Sequence, residues 1–144
     1  SAWTAGGNMG TARSYLVGAG TETTALGFGG YDGSITNVTE HYDGSAWTAG
    51  GNMGTARYRL SGAGTQTAGL GFGGWNGSTY QNATEHYDGS AWTAGGNMAT
   101  AKYNLGGCGT QTAGLGFGGK TPSITNATEE YAGPGITTQT VTSS

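Results

Sequence analysis

The stretch GGYDGSITNVTEHYDGSAW, residues 29–47, decides the fold of this chain. It contains a glycine pair, then Glu-x-Tyr-Asp, then a tryptophan, and it is followed by a methionine and an arginine. The same order of markers returns from Gly73 and begins a third time at Gly118. The chain is therefore a series of repeats, and the length of the repeat limits the folds that it can adopt.

Three copies of one unit precede a short tail. Trp3, Trp47 and Trp92 are spaced by 44 and then 45 residues, and the three methionines and the three phenylalanines have the same spacing. The segments 1–13 and 45–57 are identical (SAWTAGGNMGTAR), and 90–102 differs from them at two positions. The units are 1–44, 45–89 and 90–133, the tail is 134–144, and we expect all of them to form one domain.

Short strands and tight turns are the local structure that this composition favours. Glycine supplies 32 of the 144 residues, and each glycine inside a helix costs about 1 kcal/mol relative to alanine. Thr-rich and aromatic segments between glycines are typical of strands. In the first unit we predict strands at 1–6, 13–21, 24–29 and 38–42 and a hairpin-type turn at Asp43-Gly44. The second strand alternates glycine with larger residues, which suits a place where neighbouring backbones crowd together.

Four strands in about 45 residues is the period of a β-propeller blade. The glycine pair after an apolar strand, Glu-x-Tyr-Asp, the tryptophan soon after it and the Met before a basic residue together resemble the kelch-repeat propeller family over nearly all of 1–133. The Gly/Thr-rich form, with TAGLGFGG, also resembles kelch-like repeats in structural proteins of marine bacteriophages. The third unit departs from the pattern, because Ala132 replaces the Asp and no Trp follows Tyr131. The implied fold is an all-β kelch-type propeller with three four-stranded blades per chain.

Three blades are fewer than the four to eight of closed propellers. An open arc leaves strand edges unpaired, which soluble proteins avoid. Two copies related by a two-fold axis make about six blades, so we predict a homodimer in which each chain is half of the ring; the alternative is a fragment of a longer array. We favour the strand 1–6 of one chain as the outer strand of the partner's last blade, because Trp3 matches the internal tryptophans. The alternating segment 137–142 of the tail competes for that place, and the sequence does not decide between them.

Charge and cysteine content exclude several classes of partner. With 5 Lys+Arg against 8 Asp+Glu, the chain lacks the basic patch that nucleic-acid binding needs. No apolar run approaches the about 20 residues of a membrane span. The single Cys108 rules out an intrachain disulfide and a multi-cysteine metal site. It stands where the other units have Ala19 and Ala63, and we predict that it is a small buried residue.

Several positions that recur in each unit have a structural explanation. A basic residue and a glutamate recur once per unit, and we predict an ion pair or a carboxylate–backbone contact between them. His41 and His86 share one repeat position, but no nucleophile or third ligand stands near them, so we predict no catalysis, cofactor or metal. The residues assigned to the framework are Trp3, Trp47, Trp92, Arg13, Arg57, Lys102, Glu40, Glu85, Glu129, Tyr42, Tyr87 and Tyr131.

The positions at which the copies differ are the better guide to binding, because packing alone explains the identical ones. The units differ where the second strand begins and in the loop after the glycine pair, and in an up-and-down blade these two places lie towards the same face. Exposed aromatic rings with polar neighbours suit recognition of sugars or proteins. The candidate ligand-binding residues are Tyr15, Arg59, Asn104, Tyr31, Trp75 and Tyr80.

Together these features predict a non-enzymatic structural or binding module that assembles with itself and presents one variable face to a protein or a glycan. The viral resemblance implies a virion or adhesion role, outside the cell. One alternative is a lectin with one sugar site per blade. The alternative from another class is a kelch-fold enzyme, an oxidase or a glycosidase, which would need a ligand set around Cys108 or a pair of convergent acids.

Overall fold

The computed structural model describes residues 1–133 and 141–142. Within these residues the protein is all-β, without a helix, and its strands form three four-stranded antiparallel sheets. The first sheet contains β1 (Val17–Gly20), β2 (Ala25–Phe28), β3 (Thr39–Tyr42) and β4 (Trp47–Ala49). The second contains β5 (Ser61–Thr65), β6 (Ala68–Phe72), β7 (Thr84–Tyr87) and β8 (Trp92–Ala94). The third contains β9 (Gly106–Gly109), β10 (Ala113–Phe117), β11 (Thr128–Ala132) and β12 (Val141–Thr142).

Tight turns connect β1 to β2 and β3 to β4, whereas a loop of ten residues joins β2 to β3. At the predicted Asp43-Gly44 turn, Asp43 Oδ1 accepts the N–H groups of Ser45 and Ala46 at 2.9 and 2.8 Å. Gly44 has a φ of 99°, which side chains other than glycine rarely tolerate. The predicted turn is therefore confirmed, and the same hydrogen bonds lower the pKa of the Asp43 carboxyl.

The outer strand of each of the first two sheets comes from the following repeat unit. Trp47–Ala49 opens the second unit, yet it pairs with β3, and Trp92–Ala94 pairs with β7 in the same way. The prediction of a strand at 1–6 is wrong for the chain on its own, because the first strand begins at Val17 and Trp3 is 100% exposed. The described residues include no sheet before residues 1–6, and a strand without a neighbour cannot satisfy its backbone hydrogen bonds.

The tail takes the fourth place in the third sheet of the single chain. In β12, Val141 lies opposite Glu129 and Thr142 lies opposite Thr128. In the first sheet the residue opposite the equivalent glutamate is Ala49. Of the strand predicted at 137–142, residues 137–140 lie outside the described part of the chain.

The apolar core lies between neighbouring sheets. β1, β5 and β9 lie next to one another, and the ring of Phe28 fits against Gly62 and Gly71 of the second sheet. A Cβ atom added to either glycine would lie within 3.0 Å of the Phe28 ring. This confirms that the glycine alternation belongs to crowded strands, and burial of a side chain such as Phe28 contributes about 1.5–3 kcal/mol. One core cluster contains Leu26, Phe28, Met53, Leu60 and Tyr87, and the other contains Leu70, Phe72, Met98 and Leu105.

Within the described residues, the first and third sheets each have one neighbouring sheet, whereas the second sheet has two. Phe117 of the third sheet is therefore 41% exposed, although its counterpart Phe28 is fully buried. The prediction that Cys108 is buried is wrong, because Cys108 is exposed. Its counterpart Ala63, in the middle sheet, is buried, so the difference follows from position in the stack rather than from the repeat itself.

Candidate functional site

Buried ion pairs hold the loop that enters each sheet. Arg57 Nη2 lies 3.1 Å from Glu85 Oε2, and Arg57 Nη1 donates to the carbonyls of Gly73 and Ala83. Glu85 Oε1 accepts the N–H of Gly54 at 2.6 Å. The predicted ion pair and the predicted carboxylate–backbone contact are thus both present, and they recur as Arg13–Glu40 at 2.9 Å and Lys102–Glu129 at 3.7 Å. Burial lowers the pKa of Arg57, and the charge of Glu85 opposes that effect.

The two histidines connect neighbouring sheets. His41 Nε2 lies 2.6 Å from Tyr87 Oη, and His86 Nε2 lies 2.5 Å from Tyr131 Oη. Burial lowers the pKa of His86 and raises that of Tyr87. Among residues 1–133 and 141–142, no group of three or more His, Cys, Asp or Glu side chains is placed to hold a metal ion. Each histidine thus joins its own sheet to the tyrosine hydroxyl of the next one.

The variable positions lie together because backbone bridges join the two places that carry them. The N–H of Ser14 donates to the carbonyl of Tyr31 at 2.9 Å, and the N–H of Tyr31 donates back at 2.8 Å. Tyr58 bridges Trp75, and Tyr103 bridges Lys120, in the same way. The loop after each glycine pair is thus fixed beside the residues that precede the first strand of its sheet, as the sequence predicted.

A first aromatic cluster contains Tyr15, Tyr31, Tyr58 and Arg59. The ring centroids of Tyr15 and Tyr58 are 5.7 Å apart in an edge-to-face arrangement, and those of Tyr31 and Tyr58 are 5.9 Å apart. The guanidinium carbon of Arg59 lies 4.6 Å from the Tyr15 centroid and 5.2 Å from that of Tyr58. Tyr15 and Tyr31 are 53% and 42% exposed. This cluster offers solvent two aromatic surfaces and a cation held by rings.

A second aromatic cluster contains Trp75, Tyr80 and Tyr103. Tyr80 and Tyr103 stack with an interplanar angle of 12° and a centroid distance of 5.1 Å. Trp75 lies 5.2 Å from Tyr80 and 6.4 Å from Tyr103. In the third unit the loop positions of Trp75 and Tyr80 are occupied by Lys120 and by Ile124, which is 85% exposed. We call the two clusters together the aromatic edge.

Tyr15, Arg59 and Asn104 share an uncommon backbone conformation. Their φ angles are 58°, 58° and 57°, in the left-handed region, which costs an L-residue other than glycine roughly 1–2 kcal/mol. The N–H of Arg59 donates to the carbonyl of Tyr15 at 3.2 Å, and that of Asn104 donates to the carbonyl of Arg59 at 2.8 Å. These bonds link successive units, and backbone strain of this kind is often found at functional positions.

The six residues chosen from the sequence all lie in this region. Tyr15, Tyr31 and Arg59 join the first cluster, and Trp75 and Tyr80 join the second. Asn104 is exposed and contacts Arg59 through its backbone. Tyr58 and Tyr103 were not among the chosen candidates, although each has two ring partners in the structure. The signal for them was present, since they precede Arg59 and Asn104 at the same variable position.

No family model matches the chain, and no curated protein matches it. No helix in the described residues is long and apolar enough to cross a membrane. The features that bear on function are therefore the aromatic edge and the outward faces of the first and third sheets.

Proposed function

We propose that the chain is a non-enzymatic recognition module, half of a kelch-like propeller that two copies complete, and that the aromatic edge binds a glycan or a protein. The single observation that carries the recognition role is the clustering of seven variable side chains, six of them aromatic, at one edge of the stack. Rings that are partly exposed and already packed lose little conformational freedom when a ligand covers them.

Assembly of two copies is supported by the complementary faces at the two ends of the stack. The third sheet presents the ring of Phe117, 41% exposed. The first sheet presents Gly18, the counterpart of Gly62, which receives Phe28 inside the chain. Gly27, the counterpart of Gly71, is buried beside Trp47, so the Trp47 ring would have to move for a second copy to reach it. A Cβ atom on Gly18 would meet only a carbonyl oxygen, at 3.8 Å. Each chain thus carries both halves of the contact that it already makes twice internally, and such a head-to-tail contact forms a ring when its rotation closes.

A polar contact supports the same arrangement. Inside the chain, His41 and His86 each reach the tyrosine hydroxyl of the next sheet. In the third sheet the same position is Glu130, which is exposed. Placed against the first sheet of a second copy, its carboxylate would face Tyr42, whose hydroxyl is a hydrogen-bond donor. The substitution of His by Glu keeps a partner for the tyrosine.

The two aromatic clusters differ from each other, and this favours one extended binding face over a lectin with one site per blade. The first cluster contains Arg59, and the second contains a stacked tyrosine pair and Trp75. The third unit contributes Lys120 and Ile124 at the loop positions instead of rings. The virion or adhesion role remains a prediction from the resemblance of the sequence.

The solution mass tests the assembly. We expect twice the 14.3 kDa of one chain at micromolar concentration. Gly18→Asp places a charge on the apolar face and should give a folded monomer, whereas Thr48→Asp, on the exposed outer strand of the same sheet, should leave the mass unchanged. A wild-type chain that stays a folded monomer at all concentrations contradicts the two-copy ring.

Binding at the aromatic edge is tested separately with a glycan array and with calorimetry on the best ligand. We expect Trp75→Ala and Arg59→Ala to weaken binding at least tenfold, as for a buried interface anchor. The control is Glu22→Ala, which removes an exposed side chain from the turn between β1 and β2, outside the aromatic edge. An array without any signal removes the glycan ligand and leaves a protein ligand, and binding that is unaffected in both cluster variants contradicts the site.

A further inference from the structure

An apolar cavity lies between the second and third sheets. It is a groove rather than a closed cavity, because nearly all of its volume is open to solvent and the enclosed part is about 20 Å³, about enough for one water molecule. Phe72, Thr84, Met98 and Tyr131 are among the residues that line it. These four are the repeat counterparts of Phe28, Thr39, Met53 and Tyr87, which surround Trp92 between the first and second sheets.

Trp92 shows what fills the equivalent space. Its ring centroid lies 4.9 Å from that of Phe28 and 4.9 Å from that of Tyr87. Its indole Nε1–H donates to Thr39 Oγ1 at 2.9 Å. The cavity at the third sheet therefore has two ring walls and a threonine hydroxyl in the positions that receive an indole. The chain after Tyr131 contains no tryptophan, so the tail has no side chain of this kind to supply.

The N-terminal segment has the sequence that fills this space elsewhere. Residues 1–9 (SAWTAGGNM) are identical to 90–98, which contain Trp92. Trp3 is 100% exposed and contacts no sheet of its own chain. The segment with Trp3 thus lies at one end of the row of sheets, and a space that the described residues leave unfilled lies at the other. The residues that line this space are of the same types as those around Trp92.

The segment is already anchored in the orientation that its counterparts have. The N–H of Gly7 lies 3.4 Å from Tyr42 Oη, and the N–H of Gly51 lies 3.3 Å from Tyr87 Oη. Gly10 N–H donates to Glu40 Oε1 at 2.6 Å, as Gly54 does to its own glutamate. In the internal units, the residues just before these anchors pair with the preceding sheet. For residues 1–5, the described residues include no preceding sheet with which they could pair.

We propose that Trp3 of one copy occupies this cavity in a second copy, with its indole between Phe72 and Tyr131 and its Nε1–H donated to Thr84 Oγ1. Residues 3–5 then pair with β11 in the place that β12 holds in the single chain. This inference depends on the proposed assembly of two copies, in which Trp3 is the side chain that anchors one copy to the other.

A disulfide between copies tests the placement directly. Thr48 lies opposite His41, and Thr93 lies opposite His86, so Thr4 should lie opposite residue 130 of the second copy. Directly opposed residues are 4.5–5.5 Å apart, within reach of a disulfide. With Cys108→Ser as background, we expect Thr4→Cys/Glu130→Cys to give a covalent dimer under mild oxidation. Thr4→Cys/Glu22→Cys, with the second cysteine at a turn of the first sheet, should remain uncrosslinked.

Affinity measurements by sedimentation give an independent readout. Trp3→Ala should weaken assembly at least 30-fold, as for an interface anchor, and should leave the thermal stability of the dilute monomer unchanged, because Trp3 has no contact in its own chain. Thr84→Val should weaken assembly about fivefold through loss of one hydrogen bond. Thr39→Val, the matched control, should lower the stability of the chain and leave assembly intact.

The outcomes separate this inference from the proposed function. One contrary result is that the wild-type chain forms a dimer and Trp3→Ala forms one of equal affinity, and another is that the wild-type chain forms a dimer and Thr4→Cys/Glu130→Cys gives no disulfide. Either result keeps the two-copy assembly and overturns the role of Trp3. A wild-type chain that is monomeric at all concentrations overturns both. A covalent dimer together with weakened assembly of Trp3→Ala supports both.

Discussion

The two interfaces inside this chain are built from equivalent residues, but only one of them is complete. Between the first and second sheets, Phe28 is fully buried and Trp92 covers it. Between the second and third sheets, Phe72 and Thr84 hold the same positions, and a cavity lies where the indole would be. The indole that completes the first interface comes from the following unit, and the printed residues after Tyr131 contain no tryptophan that could complete the second.

The ion pairs show a second difference between the same regions. Arg57 of the second sheet reaches its glutamate at 3.1 Å and two carbonyl oxygens at 2.8 Å or less. Lys102 of the third sheet reaches its glutamate at 3.7 Å and one carbonyl at 3.4 Å. A guanidinium fork satisfies three acceptors at once, and an ammonium on a flexible stem holds them less tightly. Both differences leave the third sheet less stabilised than the second.

The largest expected effect is the loss of the Arg57 side chain. Arg57→Met leaves the Glu85 carboxylate buried without its partner, which costs about 3–5 kcal/mol of unfolding free energy. Lys102→Met should cost less, because the contact that it breaks is longer. Urea unfolding of both variants measures the difference. Equal losses would mean that the two ion pairs are equivalent despite their geometry.

Removal of the indole from the complete interface is expected to make it resemble the incomplete one. Trp92→Ala takes away two ring contacts and the bond to Thr39. We expect a loss of about 3 kcal/mol, the lower end for Trp→Ala, since Trp92 is half-buried. Trp47→Ala is the comparison, because Trp47 lies at the open end and has one ring partner, Tyr42. Its loss should be the smaller of the two in dilute solution, and the reverse order would contradict the assignment of the complete interface.

A methyl group on the glycines tests the same contrast on the inner strands. Gly62→Ala places a Cβ atom 2.7 Å from Phe28 Cζ and 2.6 Å from a carbonyl oxygen, and overpacking of this kind costs about 1–3 kcal/mol. Gly18→Ala meets no atom closer than 3.8 Å, so the monomer should be unchanged or slightly more stable. Thermal unfolding at low concentration compares the two. Similar destabilisation by both would show that the glycines serve the strands themselves rather than the sheet contacts.

The sequence predicted the features that depend on one unit alone. The turn at Asp43, the pairing of Arg57 with Glu85 and the gathering of variable residues at one edge follow from local chemistry repeated three times. The features that it missed depend on what lies beside a unit. Cys108 is exposed, although Ala63, at the same position in the middle sheet, is buried. A repeated residue pattern does not show how many neighbouring sheets each copy has.

Two details of the candidate site were also beyond the sequence. The left-handed φ angles of Tyr15, Arg59 and Asn104 are set by hydrogen bonds from one unit to the next. Arg and Tyr have no intrinsic preference for that conformation. The ring of Tyr58 contacts Tyr15 and Tyr31, and both of these belong to the preceding unit. Contacts between units had to be observed, since the spacing of repeats defines positions and not distances.

The smallest expected effect is the pH dependence of the His86–Tyr131 contact. Burial holds the pKa of His86 below its ordinary value of 6.5, so below that pH the unfolded chain binds a proton more readily than the folded chain does. Stability from neutral His86 is therefore present above pH 6.5 and is lost as the pH falls towards the lowered pKa of the folded state. Unfolding measured at pH 7.5 and pH 5.5 should show a decrease that is reduced in His86→Gln. Asp43 and Asp88 do not interfere, because their pKa values lie below 3.8. An equal decrease in His86→Gln would assign the pH dependence to another group and would leave the His86–Tyr131 contact without a role in it.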